Sequence, residues 1–509
     1  MRADYEDGTP ADAVNGSPST MYWGREHASR PEGSTVSNEV YSVDGSVSQS
    51  GQLRKAGGLP GLPGYHDWSE DALALRLVSE WMEGNWCYVE AWGRWMRWTG
   101  SRWELDDRSC HRALVREFLR ACANEVGEPG LARMLKSNAT CRNVENMARS
   151  DPKIAAGPEQ WDAAPLLLGT PEGTVDLSTG ELREPRQEDW ITYTTSVTPA
   201  EGDCPQWQSF LSRIFPGKPE VIEFLQRYAG YALTGHTREH KLLFAYGTGR
   251  NGKSVFLNTL AYVFGQYHRV AQSKTLLASG SEDHPTVLAS LAGARLVLTN
   301  ELPQGQAWNE PLLKQITGGD PITCRWMRKN EFTYTPQFSL IIAGNHLPSL
   351  SAVDAAIRAR LLVVPFSEVI ADAECDPQLE EKLKEEGPQI LQWCIKGALE
   401  WQNKGLASPS VVQKASREYL DGEDDLAEFV NECLVADPDG FIPNGQLCAE
   451  YRSWCQERGI KSDWSKKSLT QGLQKREFEV GRRQNQRGLK GYRFAVFPDT
   501  DYSRRQAVA

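Results

Sequence analysis

No two of the eleven cysteines stand three residues apart, so the CxxC pairs of a zinc ribbon are missing, and their scatter does not fit a disulfide framework. They read as buried, reduced thiols with no chemistry assigned. No run approaches the roughly 18 apolar residues that cross a bilayer. The opening Met1-Arg2-Ala3-Asp4-Tyr5-Glu6 lacks the apolar centre of a signal peptide. The expectation is a soluble, cytoplasmic protein with no membrane partner. Positive charge is scarce overall, with a net of -11. Yet residues 451–509 hold 14 Lys/Arg against 6 Asp/Glu, a local +8 on a body of -19, which points to polyanion contact at that end. Spaced apolar residues are lacking from 1 to 64, a stretch closed by Gly57-Gly58-Leu59-Pro60-Gly61-Leu62-Pro63-Gly64 and read as a disordered tail. The 509 residues are too many for one core, so several globular units are expected.

What is present is a phosphate-binding string, Gly247-Thr248-Gly249-Arg250-Asn251-Gly252-Lys253-Ser254, with apolar Leu242-Leu243-Phe244-Ala245-Tyr246 before it and helix-like Val255-Phe256-Leu257 after it. Backbone N–H groups of a glycine loop at a helix N-terminus can cradle phosphate, Lys253 adds charge at the β/γ-phosphates, and the Ser254 hydroxyl suits magnesium. ATP and Mg2+ are the expected cofactors.

Its companions narrow the chemistry. Arg295-Leu296-Val297-Leu298-Thr299-Asn300 is an apolar strand running into Glu301, a carboxylate able to orient water near the metal. Phe338-Ser339-Leu340-Ile341-Ile342-Ala343-Gly344 ends in Asn345, placed to sense the γ-phosphate. Arg358 and Arg360 stand before a third strand, Leu361-Leu362-Val363-Val364-Pro365, where an arginine offered to a neighbouring subunit's γ-phosphate would neutralise transition-state charge. Residues 314–330, with a Gly318-Gly319-Asp320-Pro321 turn, read as a β-hairpin presenting Lys314, Arg325, Arg328 and Lys329 to a phosphate backbone.

The expected order is tail (1–64), α+β domain (65–200), helical collar (201–235), ATPase domain (236–406), linker helix (407–425), basic domain (426–500) and tail (501–509). Trp92, Trp95, Trp98 and Trp103 read as the core of a small sheet rather than a base-stacking platform. His236-Thr237-Arg238-Glu239-His240 matches H-x-x-E-H, but it stands one residue before a strand and reads as a connecting turn. In the basic domain, helices followed by a two-stranded hairpin resemble a winged helix, with Lys466, Lys467, Arg482, Arg483, Arg487 and Lys490 on phosphates.

The order of phosphate loop, strand-Glu, Gly-Gly-Asp hairpin, strand-Asn and Arg before a strand resembles the superfamily 3 helicases, in particular the helicase half of phage and plasmid primase-helicases and their poxvirus-type relatives. Gly173-Thr174-Val175-Asp176-Leu177 and Gly230-Tyr231-Ala232-Leu233-Thr234-Gly235 extend the likeness, which runs from about residue 66 to 500. The resemblance implies an α/β fold with a modified AAA+ core, and a ring, usually hexameric, that encircles single-stranded or forked DNA. It further implies that Lys253 and Ser254 hold phosphate and metal, Glu301 supports hydrolysis, Asn345 senses phosphate and Arg360 acts in trans. Asn300 replaces one of the family's paired acids, and Ala359 separates two arginines that are adjacent in many members. The expected setting is replication of a phage, prophage or plasmid in a bacterial host, with a separate primase; the alternative is a DNA-binding initiator whose ATPase governs assembly.

Overall fold

The computed structural model describes residues 67–278, 285–299, 302–303, 306–326, 331–350, 353–422, 424–458, 465–476 and 478–495. The tails at 1–64 and 501–509 lie outside the described residues.

Strands Trp86–Val89, Arg94–Trp98 and Trp103–Leu105 form an antiparallel sheet against helices Cys110–Glu125 and Asn138–Ala148. Trp92, Trp95 and Trp103 are buried, and Trp103 stacks on Trp190 at 5.8 Å. The tryptophans are core, as their spacing predicts. A second sheet, Leu167–Thr170, Gly173–Asp176 and Glu181–Arg183, was expected inside the same α+β unit. Instead Leu168, Val175 and Leu177 pack into the core of the large parallel sheet. Arg295 makes the tie: its buried guanidinium donates to Leu233 O at 2.5 Å and Leu167 O at 2.8 Å.

That parallel sheet contains β1 (Leu242–Tyr246), β2 (His268–Ala271), β3 (Leu296–Thr299), β4 (Ser339–Gly344) and β5 (Leu361–Pro365), in the order β5-β1-β4-β3-β2. Alternate side chains enter different cores: Leu243, Ile341 and Leu362 on one face, Phe244, Ile342 and Val363 on the other. Burial on both faces explains the unbroken apolar runs.

One face is covered by helices α1 (Pro219–Leu233) and α2 (Lys253–Phe264), the other by α3 (Glu310–Gly318) and α4 (Ala355–Arg360). The helices at 201–235 thus share the sheet's core rather than standing ahead of it as a collar. The next helices are Leu379–Glu385 and, after a break at Glu386, α5 (Gly387–Lys404). Helix α5 crosses α1 where both backbones lack side chains, at Gly397 and Gly230. Next, α6 (Ser410–Gly422) lies along the edge strand β5, and Val363 N donates to Ser416 Oγ at 2.8 Å. It covers an edge, which makes it more than a linker.

The C-terminal part consists of α7 (Asp425–Cys433), β6 (Leu434–Pro443), α8 (Asn444–Glu457), α9 (Lys466–Lys475), β7 (Val480–Arg483) and β8 (Gln486–Phe494). Its antiparallel sheet runs β6-β8-β7 over a separate core that includes Phe429, Tyr451, Trp454, Leu473 and Leu489. Gln484 and Asn485, both at positive φ, turn β7 into β8. Among the described residues no helix is long and apolar enough to cross a membrane.

Candidate nucleotide site

Ligands of parallel α/β sheets collect at the carboxyl ends of the strands, and three chain segments meet there. Tyr246, at the end of β1, pairs with Gly344 of β4 on one side and Pro365 of β5 on the other. The phosphate loop, Asn345 and Phe366 therefore emerge side by side. Gly247 N donates to Gly344 O at 3.2 Å, and Phe366 N to Tyr246 O at 2.7 Å.

The loop's glycines are required by space and by dihedral angle. A Cβ on Gly247 would stand 2.4 Å from Phe366 O, whereas Gly249 (φ 109) and Gly252 (φ 78) occupy the left-handed region. Gly252 then caps α2, whose 12 residues begin at Lys253.

Lys253 is 5% exposed. Its Nζ donates to Gly247 O at 2.6 Å, Asn251 Oδ1 at 3.0 Å and Asn345 Oδ1 at 3.1 Å. The glycine loop at the start of α2, with an ammonium turned into it, has the donor groups that suit a polyphosphate. Asn251, also buried, donates from Nδ2 to Phe366 O at 3.0 Å and so ties the loop to the end of β5. Thr248 and Ser254 are exposed, Ser254 in the first turn of α2, where a hydroxyl can reach a metal. Arg250, at φ 48, forms an ion pair with Asp372. Sequence reasoning missed Asp372 and the framing role of Asn251 and Phe366, because nothing local marks contacts more than a hundred residues apart. At the same edge, β3 ends in Thr299, whose buried Oγ1 has no hydrogen-bond partner among the described residues. Glu301 lies outside the described residues.

Arg360 stands at the opposite edge, just before β5. Its Nε donates to Thr317 Oγ1 at 3.2 Å and its Nη1 to Ala356 O at 3.0 Å. Five residues of β5, about 16 Å of extended chain, separate it from the phosphate loop. Arg358 is bound to Asp421 at 2.8 Å and Asp424 at 3.1 Å.

The hairpin requires correction. Residues 314–318 belong to α3, which Asn309 caps through Leu312 N at 3.3 Å and which buries Leu312, Leu313 and Ile316. Gly319, at φ 77, terminates that helix, so the Gly-Gly-Asp-Pro stretch is a helix stop and not the hairpin turn. Antiparallel strands Ile322–Arg325 and Glu331–Tyr334 form the hairpin, with exposed Arg325 opposite Glu331. Lys314 is not on it: its Nζ lies 2.7 Å from Asp354 and 3.7 Å from Glu310. Arg328 and Lys329 lie outside the described residues.

In the C-terminal part, Lys466 and Lys467 are exposed in the first turn of α9, and Arg482, Arg483 and Arg487 are exposed on the β7-β8 hairpin. Arg482 and Arg487 are direct cross-strand partners. Like charges directly opposite destabilise a sheet, and a polyanion would relieve them. Lys490 is instead paired with Glu479 at 2.6 Å.

The H-x-x-E-H segment is a turn. His240 sits at φ 52 with Nδ1 3.1 Å from Thr317 O, while Glu239 accepts from Trp401 Nε1 at 2.7 Å. Among the described residues no group of three His, Cys, Asp or Glu side chains is arranged to hold a metal.

Comparison with known proteins gives three segments that match family models: residues 74–216 (D5 N terminal like), 245–358 (a family of unknown function) and 422–494 (poxvirus D5 protein-like). Relatives that carry the helicase name provisionally include L207/L206 of Acanthamoeba polyphaga mimivirus (25% identity over 67% of this chain and 41% of that protein). Others are 022R of frog virus 3 (25%, over 62% and 34%) and V13 of Sputnik virophage (27%, over 40% and 26%). The chain thus spans about two fifths of these relatives' length or less. Among solved structures, the apo C-terminal region of NrS-1 overlays 84% of this chain and all of that one, with TM-score 0.48 and 13% identity.

Proposed function

Because the chain belongs to the D5-type primase-helicase family, we propose that it is an ATP-driven DNA helicase of superfamily 3, with a modified AAA+ core that works as a ring in the replication of a viral or mobile genome. The single observation that carries this reading is the division of the chemistry between the two edges of one sheet. Lys253 and Asn345 meet at the carboxyl edge, and Arg360 stands at the amino edge. One subunit holds half a site; stacked head to tail, each subunit's Arg360 completes its neighbour's.

In this reading the loop amides and Lys253 hold the β/γ-phosphates, Asn345 positions the terminal phosphate, and Arg360 neutralises charge in the transition state. Ser254 and Glu301 would hold magnesium, which supplies charge neutralisation between the phosphates. Glu301 also orients the attacking water. The hairpin, through Arg325, Arg328 and Lys329, moves single-stranded or forked DNA. The C-terminal part, with its helix-strand-helix-helix-hairpin order, serves as a winged helix whose Lys466, Lys467, Arg482, Arg483 and Arg487 bind phosphates without reading sequence.

The test is strand displacement on a forked duplex together with DNA-stimulated phosphate release. Unwinding that requires ATP and is lost in Lys253→Ala supports the helicase. Hydrolysis with no unwinding of any fork would replace it with an initiator whose ATPase governs assembly.

A further inference from the structure

The short helix α4, which presents Arg360, is fastened on both flanks. From α3, Lys314 pairs with its capping residue Asp354, and Thr317 accepts from Arg360. On the other flank, Arg358 reaches Asp424 Oδ2 at 3.1 Å. Asp424 is 6% exposed, and its second oxygen, Oδ1, lies 2.5 Å from Nη2 of Arg476, the residue after α9. The same Oδ1 caps α7 by accepting from Ala427 N at 3.1 Å. One buried carboxylate is therefore shared by two guanidinium groups, one from the ATPase sheet's edge and one from the end of the helix that begins with Lys466 and Lys467. Removing one partner of such a buried group is costly, and Arg358 and Arg360 share the last turn of one helix. Arg360 and Arg476 are thus connected through Arg358 and Asp424.

We propose that Asp424 is a positioning residue that couples the Arg360 helix to the C-terminal basic module, so that nucleotide engagement sets DNA affinity. The link rests on the ATP- and DNA-binding reading above. By linkage the effect is reciprocal, and DNA must alter nucleotide affinity by the same factor.

The test is fluorescence anisotropy of a labelled single strand on the full chain, with and without a non-hydrolysable ATP analogue. The wild type is expected to shift its DNA affinity about fivefold or more on adding the analogue. Asp424→Asn and Arg476→Gln are expected to bind strand and analogue separately with unchanged affinity but to lose the shift, and Arg476→Lys to restore part of it. Should Asp424→Asn fail to fold on thermal melting, Arg476→Gln carries the test alone. A merely structural role lowers the melting temperature and leaves the ratio of affinities untouched, which overturns the link. So does a wild type that binds both ligands with no shift. A wild type that binds no nucleotide or no DNA removes the proposed function, and the link with it.

Discussion

The ammonium of Lys253 lies 3.1 Å from the side-chain oxygen of Asn345, 92 residues further along the chain. The parallel pairing of β1 with β4 produces this meeting, because it sets Gly344 beside Tyr246 at the carboxyl edge. A nearly buried ammonium beside a glycine loop suits the phosphate-binding role proposed for it. Lys253→Ala should abolish phosphate release, read beside a melting curve that shows the fold intact.

Asn345 should behave differently. Its amide can act on the terminal phosphate but contributes little to holding the rest of the nucleotide, so Asn345→Ala is expected to keep nucleotide binding while turnover falls about 100-fold or more. Binding of a fluorescent nucleotide separates the two; an equal loss of binding and turnover removes the sensor role.

The crossing of α1 and α5 tests the packing that supports this edge. A Cβ on Gly397 would stand 2.0 Å from Gln226 O, and one on Gly230 2.0 Å from Ala398 N, in both cases against backbone that cannot yield locally. Gly397→Ala should cost about 1–3 kcal/mol or more through overpacking, seen as a lower melting temperature. Gly445→Ala, in α8 with no neighbour within 4 Å, should hold or raise it, by up to about 1 kcal/mol from helix propensity.

These outcomes bear on parts of the fold that were legible to very different degrees. Strands β1, β3, β4 and β5 read clearly because both faces are buried, so apart from Thr299 and Ser339 at strand ends they carry no small polar or charged residue. Strand β2 was not foreseen: it is an edge strand of His268, Arg269, Val270 and Ala271, with Val270 53% exposed. The Gly-Gly-Asp-Pro stretch is ambiguous in sequence, since a left-handed glycine ends a helix as readily as it turns a hairpin, and Lys314 lies on the helix that Gly319 ends. Asn345 was legible from a strand ending in one amide. Asp424 was not, because its partners Arg358 and Arg476 lie 66 and 52 residues away on separate elements.

Acid should loosen the N-terminal unit through Glu145. Burial alone would raise its carboxyl, but hydrogen bonds from His111 and Arg149 and their charges outweigh that and hold it at about 2, against an ordinary 4.5. Asp106, on the other ring nitrogen of His111 at 2.5 Å, is lowered as well. A folded-state value below the unfolded one means stability that is full above about 4.5 and is lost as pH falls toward about 2. Glu145→Gln should flatten that limb of a melting-temperature profile; an unchanged slope shows that the carboxylate does not carry it.

Arg360 provides the decisive experiment on assembly. Its guanidinium is held by Thr317 and Ala356 at the amino edge, with the length of β5 between it and its own phosphate loop. The proposed role in hydrolysis is therefore one played in a neighbour's site. Arg360→Ala is expected to bind nucleotide normally and lose about 1,000-fold or more in turnover, the usual worth of an arginine finger. Lys253→Ala should be inactive for a different reason. Mixed in equal amounts and allowed to exchange subunits, the two inactive chains should recover activity. If assembly is random, about one head-to-tail interface in four pairs an intact Lys253 with a neighbour's intact Arg360. No recovery in oligomers verified to contain both variants would mean that Arg360 acts within its own subunit or only braces α4.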